Sequence, residues 1–69
     1  MNTTPLTDKQ KHRVAYLARA ALCLLPGGGD EDKANAVIDR IQNEGKVEMT
    51  PEERAVLLTN ILLGLQVRA

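Results

Sequence analysis

Residues 50–67 constrain the fold of this chain more than any other stretch. Thr50, Pro51 and Glu53 follow one another as at a helix start, with a cap, a first-turn proline and a capping-box glutamate. Four residues interrupt the apolar run that follows: Thr59, Asn60, Gly64 and Gln66. A helix that is apolar on nearly every side has to be buried by neighbours. The segment therefore predicts a helix at the core of a small helical domain.

The apolar side chains of this helix fall into two groups when they are placed at about 100° per residue. A broad side is formed by Ala55, Leu57, Leu58, Ile61, Leu62 and Leu65. A narrower stripe, roughly opposite, is formed by Val56, Leu63 and Val67, and Gly64 beside it is expected to leave room for another backbone. Two further helices with one apolar stripe each can cover only the broad side, so the narrow stripe is predicted to be open to a partner.

The size of the chain favours self-association. The hydrophobic core of a 69-residue chain seldom contributes more than roughly 3–5 kcal/mol to the free energy of unfolding, so such chains usually need a disulfide, a metal or self-association as well. A single cysteine excludes an internal disulfide, and one histidine with one cysteine does not favour a structural zinc site. We expect no metal or cofactor, and a homodimer or higher homo-oligomer. Its predicted interface is Val56, Leu63, Gly64 and Val67.

The sequence contains a start signal and a stop signal for the first helix. Thr7 is followed three residues later by Gln10, which is the spacing of a capping box. Pro26 and the glycines after it end the pattern, so a helix is predicted over 7–25. Its apolar face is formed by Val14, Leu17, Ala18, Ala21 and Leu25.

The second helix is predicted over 31–44. The acidic residues 30–32 suit the positive end of its dipole, and Gly45 is a natural C-cap. Its one apolar stripe is formed by Ala34, Val37, Ile38 and Ile41. The polar–apolar alternation of residues 46–49 allows a very short extended piece.

The predicted fold is all-α: a small three-helix domain with helices near 7–25, 31–44 and 51–67, assembled as a homodimer. Residues 1–6 are expected to form a flexible N-terminal tail and residues 7–69 the single domain. The chain is 43% hydrophobic with one aromatic residue. Its apolar mass is mostly leucine, alanine and valine, which suits helices better than sheets.

Four residues at helical spacing follow the side of the first helix opposite its apolar face: His12, Tyr16, Arg19 and Cys23. They include the only histidine, tyrosine and cysteine of the sequence. Because tyrosine and arginine are enriched at binding hot spots, this line predicts a surface that binds a protein or an anionic ligand. The alternative is that Tyr16 and Cys23 pack against a neighbouring subunit while His12 and Arg19 stay solvated.

A basic patch formed by Lys9, Lys11 and Arg13, beside His12, lies in the first turns of the same helix. Positive charge there opposes the helix dipole, which favours an anionic partner such as nucleic acid. Nine basic and nine acidic residues cancel over the whole chain, so a solvated helix end is the alternative. A DNA-recognition role for the last helix is disfavoured, because leucines cannot read base edges.

Catalysis has little support in the sequence. His12 and Cys23 would lie about 16 Å apart by helix rise, and a short chain with one aromatic residue makes a poor substrate pocket. The glycines 27–29 lack the Lys-Ser/Thr pair of a phosphate loop. Residues 30–32 lack the spaced ligands of a calcium loop. We therefore expect a protein that is not an enzyme.

The predicted function is a small non-catalytic interaction module, an adaptor or inhibitor that occupies a partner protein's surface. The alternative is a small nucleic-acid-associated regulator that uses the basic patch. The polar N-terminus has no signal-peptide pattern, and no apolar run is long enough to span a bilayer. We expect a soluble, cytoplasmic protein without membrane contact. By analogy, this profile is similar to that of phage or plasmid accessory proteins.

Overall fold

Three α-helices account for most of the described chain. The computed structural model of the protein describes residues 6–68, except for the side chain of Arg68. The helices are α1 (Asp8–Cys23), α2 (Glu31–Gly45) and α3 (Pro51–Arg68), and the described residues contain no strand. The predicted all-α, three-helix domain is confirmed. The predicted tail lies outside the described residues apart from Leu6, which packs against the core.

Helix α1 begins at the predicted capping box. The Thr7 hydroxyl accepts a hydrogen bond from the Gln10 backbone N–H at 3.1 Å, and the Thr7 N–H donates to Gln10 Oε1 at 2.8 Å. The helix ends at Cys23, two residues before the predicted boundary. Leu25 precedes Pro26, and a residue before proline is disfavoured in the helical conformation. Leu25 nevertheless keeps its predicted place in the core.

Helix α2 is capped at its start by Asp30, whose carboxylate accepts from the Lys33 backbone N–H at 3.0 Å. Its end differs from the prediction by one residue. Gly45 is still helical, and Lys46 is the cap, in the left-handed conformation with φ 51° and ψ 43°. The following residues, 47–50, are irregular, so the alternation of residues 46–49 does not form a strand.

Helix α3 begins at a second capping box. The Glu53 backbone N–H donates to the Thr50 hydroxyl at 3.2 Å, and the Thr50 N–H donates to Glu53 Oε1 at 3.1 Å. Pro51 is the first helical residue, as predicted. It has no N–H to leave unpaired in the first turn.

The core is formed where the apolar faces of the three helices meet. Helices α1 and α3 run in the same direction, because Arg13 lies near Glu53 at one end and Leu22 lies against Gly64 at the other. Helix α2 runs back between those ends. The buried apolar residues are Val14, Leu17, Ala18, Ala21, Leu25, Ala34, Val37, Ile38, Leu57, Ile61 and Leu65.

The outer margin of the core is narrower than predicted on α3. Leu58 and Leu62 are half-buried against the core, but Ala55 is exposed. Ala55 lies at the edge of the broad apolar side, beyond Leu62, where the other two helices no longer cover it. Ile41 of α2 is likewise only half-buried.

An arginine links α3 to three side chains of α2. Arg54 Nη2 lies 2.8 Å from Asp39 Oδ1 and 3.5 Å from Asn35 Oδ1, and Nη1 donates to Gln42 Oε1. These partners are spaced at one and two helical turns, so they present acceptors along one side of α2. The half-exposed guanidinium therefore fixes how α2 lies against α3.

Candidate functional site

The exposed side of α1 carries the predicted recognition residues. His12, Tyr16, Arg19 and Cys23 are all exposed, and 73% of Tyr16 is open to solvent. Cys23 is a free thiol. Within residues 6–68 the four side chains make no hydrogen bond or ion pair. We call these four residues the α1 face. Its binding role stays a prediction.

The side chain of Tyr16 has no role in the core. The buried positions of α1 lie on the opposite side of the helix, at Val14, Leu17, Ala18 and Ala21. A ring with an apolar body and a polar tip gains most when it is covered by a partner. Arg19 lies one turn further along the same face, where its guanidinium is free to take a carboxylate in a bidentate pair.

The basic patch is divided by the fold. Lys9 and Lys11 are exposed, but Arg13 turns back toward the loop before α3. Its Nη2 donates to the Glu48 carbonyl oxygen at 2.8 Å, and its Nη1 lies 4.0 Å from Glu53 Oε2. Arg13 thus ties α1 to the start of α3. The predicted contact with nucleic acid is left to the exposed lysines and stays a prediction.

Glu53 is a buried carboxylate that sequence reasoning did not find. Only 4% of the residue is exposed. Its Oε1 closes the capping box, while its buried Oε2 has no hydrogen-bond partner in the described part of the chain. Its capping role was predicted, but its burial was not. The helical spacing could have predicted this burial, because Glu53 lies four residues before Leu57 and eight before Ile61, on the same face of the helix.

An open cleft of about 350 Å³ adjoins this carboxylate. Its lining residues are Arg13, Glu48, Met49, Thr50 and Glu53. The free oxygen of Glu53 is itself shielded from solvent. The guanidinium of Arg13 beside it would oppose a cation, and two carboxylates in the lining would oppose an anion. The arrangement braces α1 against α3 and offers little for chemistry.

A second cleft lies at the other end of the molecule. It has a volume of about 370 Å³ and is lined by Gly29, Glu31, Leu62, Leu65 and Gln66. One exposed carboxylate and one exposed amide are its functional groups. Among the described residues neither group is held by a neighbouring charge, so the described part of the cleft has no arranged donor or acceptor set.

The narrow apolar stripe of α3 is exposed in the folded chain. The exposed fractions are 38% for Val56, 53% for Leu63 and 86% for Val67. We call these three residues the α3 stripe. Large aliphatic side chains in a row on one helix are more than the scattered exposure expected of any surface. An assembly through the stripe is not part of the single chain and stays a prediction.

Gly64 has a different environment from the α3 stripe. A Cβ at this position would lie 2.6 Å from Cδ1 of Leu22 and 3.0 Å from its Cδ2. The space that was expected for a second backbone is therefore taken by a side chain of α1. Gly64 belongs to the α1–α3 contact, and the interface prediction rests on Val56, Leu63 and Val67.

Two properties of residues 6–68 complete the description. None of the described helices combines the length and apolar character needed to cross a membrane. Among the same residues, no three His, Cys, Asp or Glu side chains are grouped so that they could hold a metal ion. No protein-family model, curated protein or solved structure matches this chain.

Proposed function

We propose that the protein is a small non-catalytic interaction module, an adaptor or inhibitor that covers part of a partner protein with its α1 face. The observation that carries the proposal is the 73% exposure of Tyr16. Tyr16 is the only aromatic residue of the sequence. It lies outside the core, although a chain of this size has few large apolar side chains from which to build a core. Arg19 beside it is the other residue type that dominates binding hot spots.

The charge of α1 indicates what kind of partner surface it fits. This helix carries Lys9, Lys11, Arg13 and Arg19 against a single acidic residue, Asp8. Arg13 is exposed but is engaged within the chain by the Glu48 carbonyl oxygen, so the charge free to meet a partner comes mainly from the other three basic residues. We propose an acidic partner surface with an apolar recess for Tyr16, because complementary charge speeds and orients docking.

The proposal includes self-association through the α3 stripe. Identical surfaces placed face to face bring identical charges together, which disfavours α1 as the contact between copies. The α3 stripe has no such penalty, since residues 55–67 contain no charged residue. Two functions on two helices then coexist: α3 joins the copies, and each copy presents its α1 face outward.

The proposed non-catalytic role is supported by the distance between His12 and Cys23. His12 and Cys23 are separated by eleven residues of one continuous helix, which is about 16 Å by helix rise. They cannot share a proton within one subunit. The described residues that line the two clefts include no cysteine, serine or histidine.

Site-specific photo-crosslinking in cells of the native host tests the α1 face. A benzoylphenylalanine in place of Tyr16 is expected to give a discrete adduct whose mass is not a multiple of 7.5 kDa. The same probe in place of Asn43, an exposed residue of α2, is the matched control and is expected to give none. Arg19→Ala should lower the Tyr16 yield severalfold, because the guanidinium contributes to the same contact. Equal adducts from both positions, or none from Tyr16, would contradict the proposal.

A further inference from the structure

The exposed side of α3 carries residues at the spacing of a coiled-coil seam. Val56, Asn60, Leu63 and Val67 follow at intervals of four, three and four residues. These are the d, a, d and a positions of a heptad, which line one side of a helix and meet the same positions of a partner helix. Asn60 is half-buried and sits inside the row. We call these four residues the α3 seam.

We infer that the α3 seam binds the α3 seam of a second copy in parallel and in register, with the two Asn60 side chains facing each other. The inference rests on the proposed self-association and adds its orientation. It is argued from the absence of charge along the seam, from the amide of Asn60 and from the spacing.

The lack of charge around the seam fits a second copy better than a different protein. Thr59 and Gln66, on the exposed flank, are neutral. On the other flank Leu57 is buried in the core and Gly64 packs against Leu22, so that flank carries no charge either. In coiled coils these flanking positions carry the charges that select one partner over another. Neutral flanks have no such selection, and they let two identical helices approach without repulsion between like charges.

Asn60 decides between the two possible directions. Its side-chain amide makes no hydrogen bond with the described residues of its own chain. In a parallel pair it meets the same amide, which can both donate and accept. In an antiparallel pair that sets Val56 against Val67, Asn60 would face Leu63, and its polar groups would be covered without partners. A single asparagine at an a position is known to fix the register of a parallel pair.

The expected dimer is weak and reversible. The seam extends over residues 56–67, about 16 Å by helix rise, and holds three apolar layers. Such a contact falls below the area of a stable permanent interface. The protein is therefore expected to exchange between monomer and dimer as its concentration changes.

Disulfide trapping of the full chain tests the orientation. In a Cys23→Ser background, Val56→Cys and Val67→Cys are oxidised separately and as a mixture. The parallel arrangement brings each position near itself, so each variant alone is expected to give linked dimer at least about tenfold faster than Ala36→Cys. That control cysteine is exposed on α2 and reports random collision. In the mixture, the 56–67 link is expected to be the slowest product.

The oligomeric state of the same variants is also measured under reducing conditions. Together with the disulfide rates, this measurement distinguishes a parallel dimer, an antiparallel dimer and a monomer. Dimer with fast links only between positions 56 and 67 would overturn the parallel inference and leave self-association standing. No dimer, with links no faster than the control, would overturn both. As a second measure, Asn60→Leu is expected to tighten association and to allow higher oligomers. Association of this variant equal to that of the wild type would show that the amide does not lie in the contact.

Discussion

At the scale of single residues, Lys46 has a left-handed backbone conformation, which is unfavourable for any residue with a Cβ atom. Its φ of 51° is the one positive value among the described residues other than glycine. A left-handed residue with a Cβ costs about 1–2 kcal/mol of backbone strain. The Lys46 N–H is still used, since it donates to the Gln42 carbonyl oxygen and closes the helix.

We predict that Lys46→Gly stabilises the protein by about 0.5–1 kcal/mol, because glycine adopts the left-handed conformation without strain. The matched control is Lys11→Gly, which makes the same chemical change at an exposed position inside α1. There the loss of helix propensity should destabilise by about 1 kcal/mol. Urea unfolding followed by circular dichroism measures both. A loss of stability in Lys46→Gly would mean that the lysine side chain makes a contribution that outweighs the strain.

Glu53 shows where reasoning from the sequence stops at this scale. Its capping partner lies three residues away, so a local pattern was enough to predict the hydrogen bonds with Thr50. Its place on the buried face follows from its spacing to Leu57, but its neighbour Arg13 is forty residues distant in sequence. A local pattern contains no information on such a contact.

At the scale of helices, starts were predicted better than ends. The capping boxes at Thr7 and Thr50 use side chains within four residues, and both are present in the structure. The end of α1 was placed two residues too late, and the cap of α2 one residue too early. The last residue of a helix is the one after which the chain leaves the helical conformation. Several neighbouring residues can take this position at similar free energy, so the pattern does not determine it.

Helices α1 and α3 make their close contact at Gly64. Leu22 lies where a Cβ of residue 64 would be, at 2.6 Å, so the two helices approach through a side chain set against a bare backbone. The sequence predicted room at Gly64 for the backbone of a partner, whereas the structure places a side chain of α1 there. The sequence did not indicate which residue makes the approach, because the relative position of two helices depends on packing across the whole core.

A double-mutant cycle tests this contact. Gly64→Ala alone is expected to destabilise by about 1 kcal/mol, because overpacking against Leu22 outweighs the gain in helix propensity. In a Leu22→Ala background the obstacle is gone, and the same change should stabilise by about 0.5–1 kcal/mol. The expected result is thus a change of sign between the two backgrounds, measured by urea unfolding. The same sign in both would mean that Leu22 moves aside freely.

At the scale of the whole molecule, the chain has more apolar surface than three short helices can enclose. Helix α3 is covered at Leu57, Ile61 and Leu65 and open at Leu63 and Val67. The periodicity of the sequence predicted both sides, since each side follows from the angular position of its residues. The occupant of the open side does not follow from periodicity. It depends on charge and on the polar groups within the stripe.

The measurement that tests self-association most directly is sedimentation velocity of the purified protein over about 10–500 µM, the range in which a small interface is populated. The wild-type protein is expected to shift from monomer to dimer within this range. Leu63→Glu should remain monomeric, because it places a charge at the centre of the α3 seam. Leu24→Glu is the matched control, since Leu24 is 45% exposed but lies at the C-cap of α1, away from the α3 seam, and it should dimerise as the wild type does. A wild-type monomer at every concentration, or a dimer that Leu63→Glu leaves unchanged, would contradict the account.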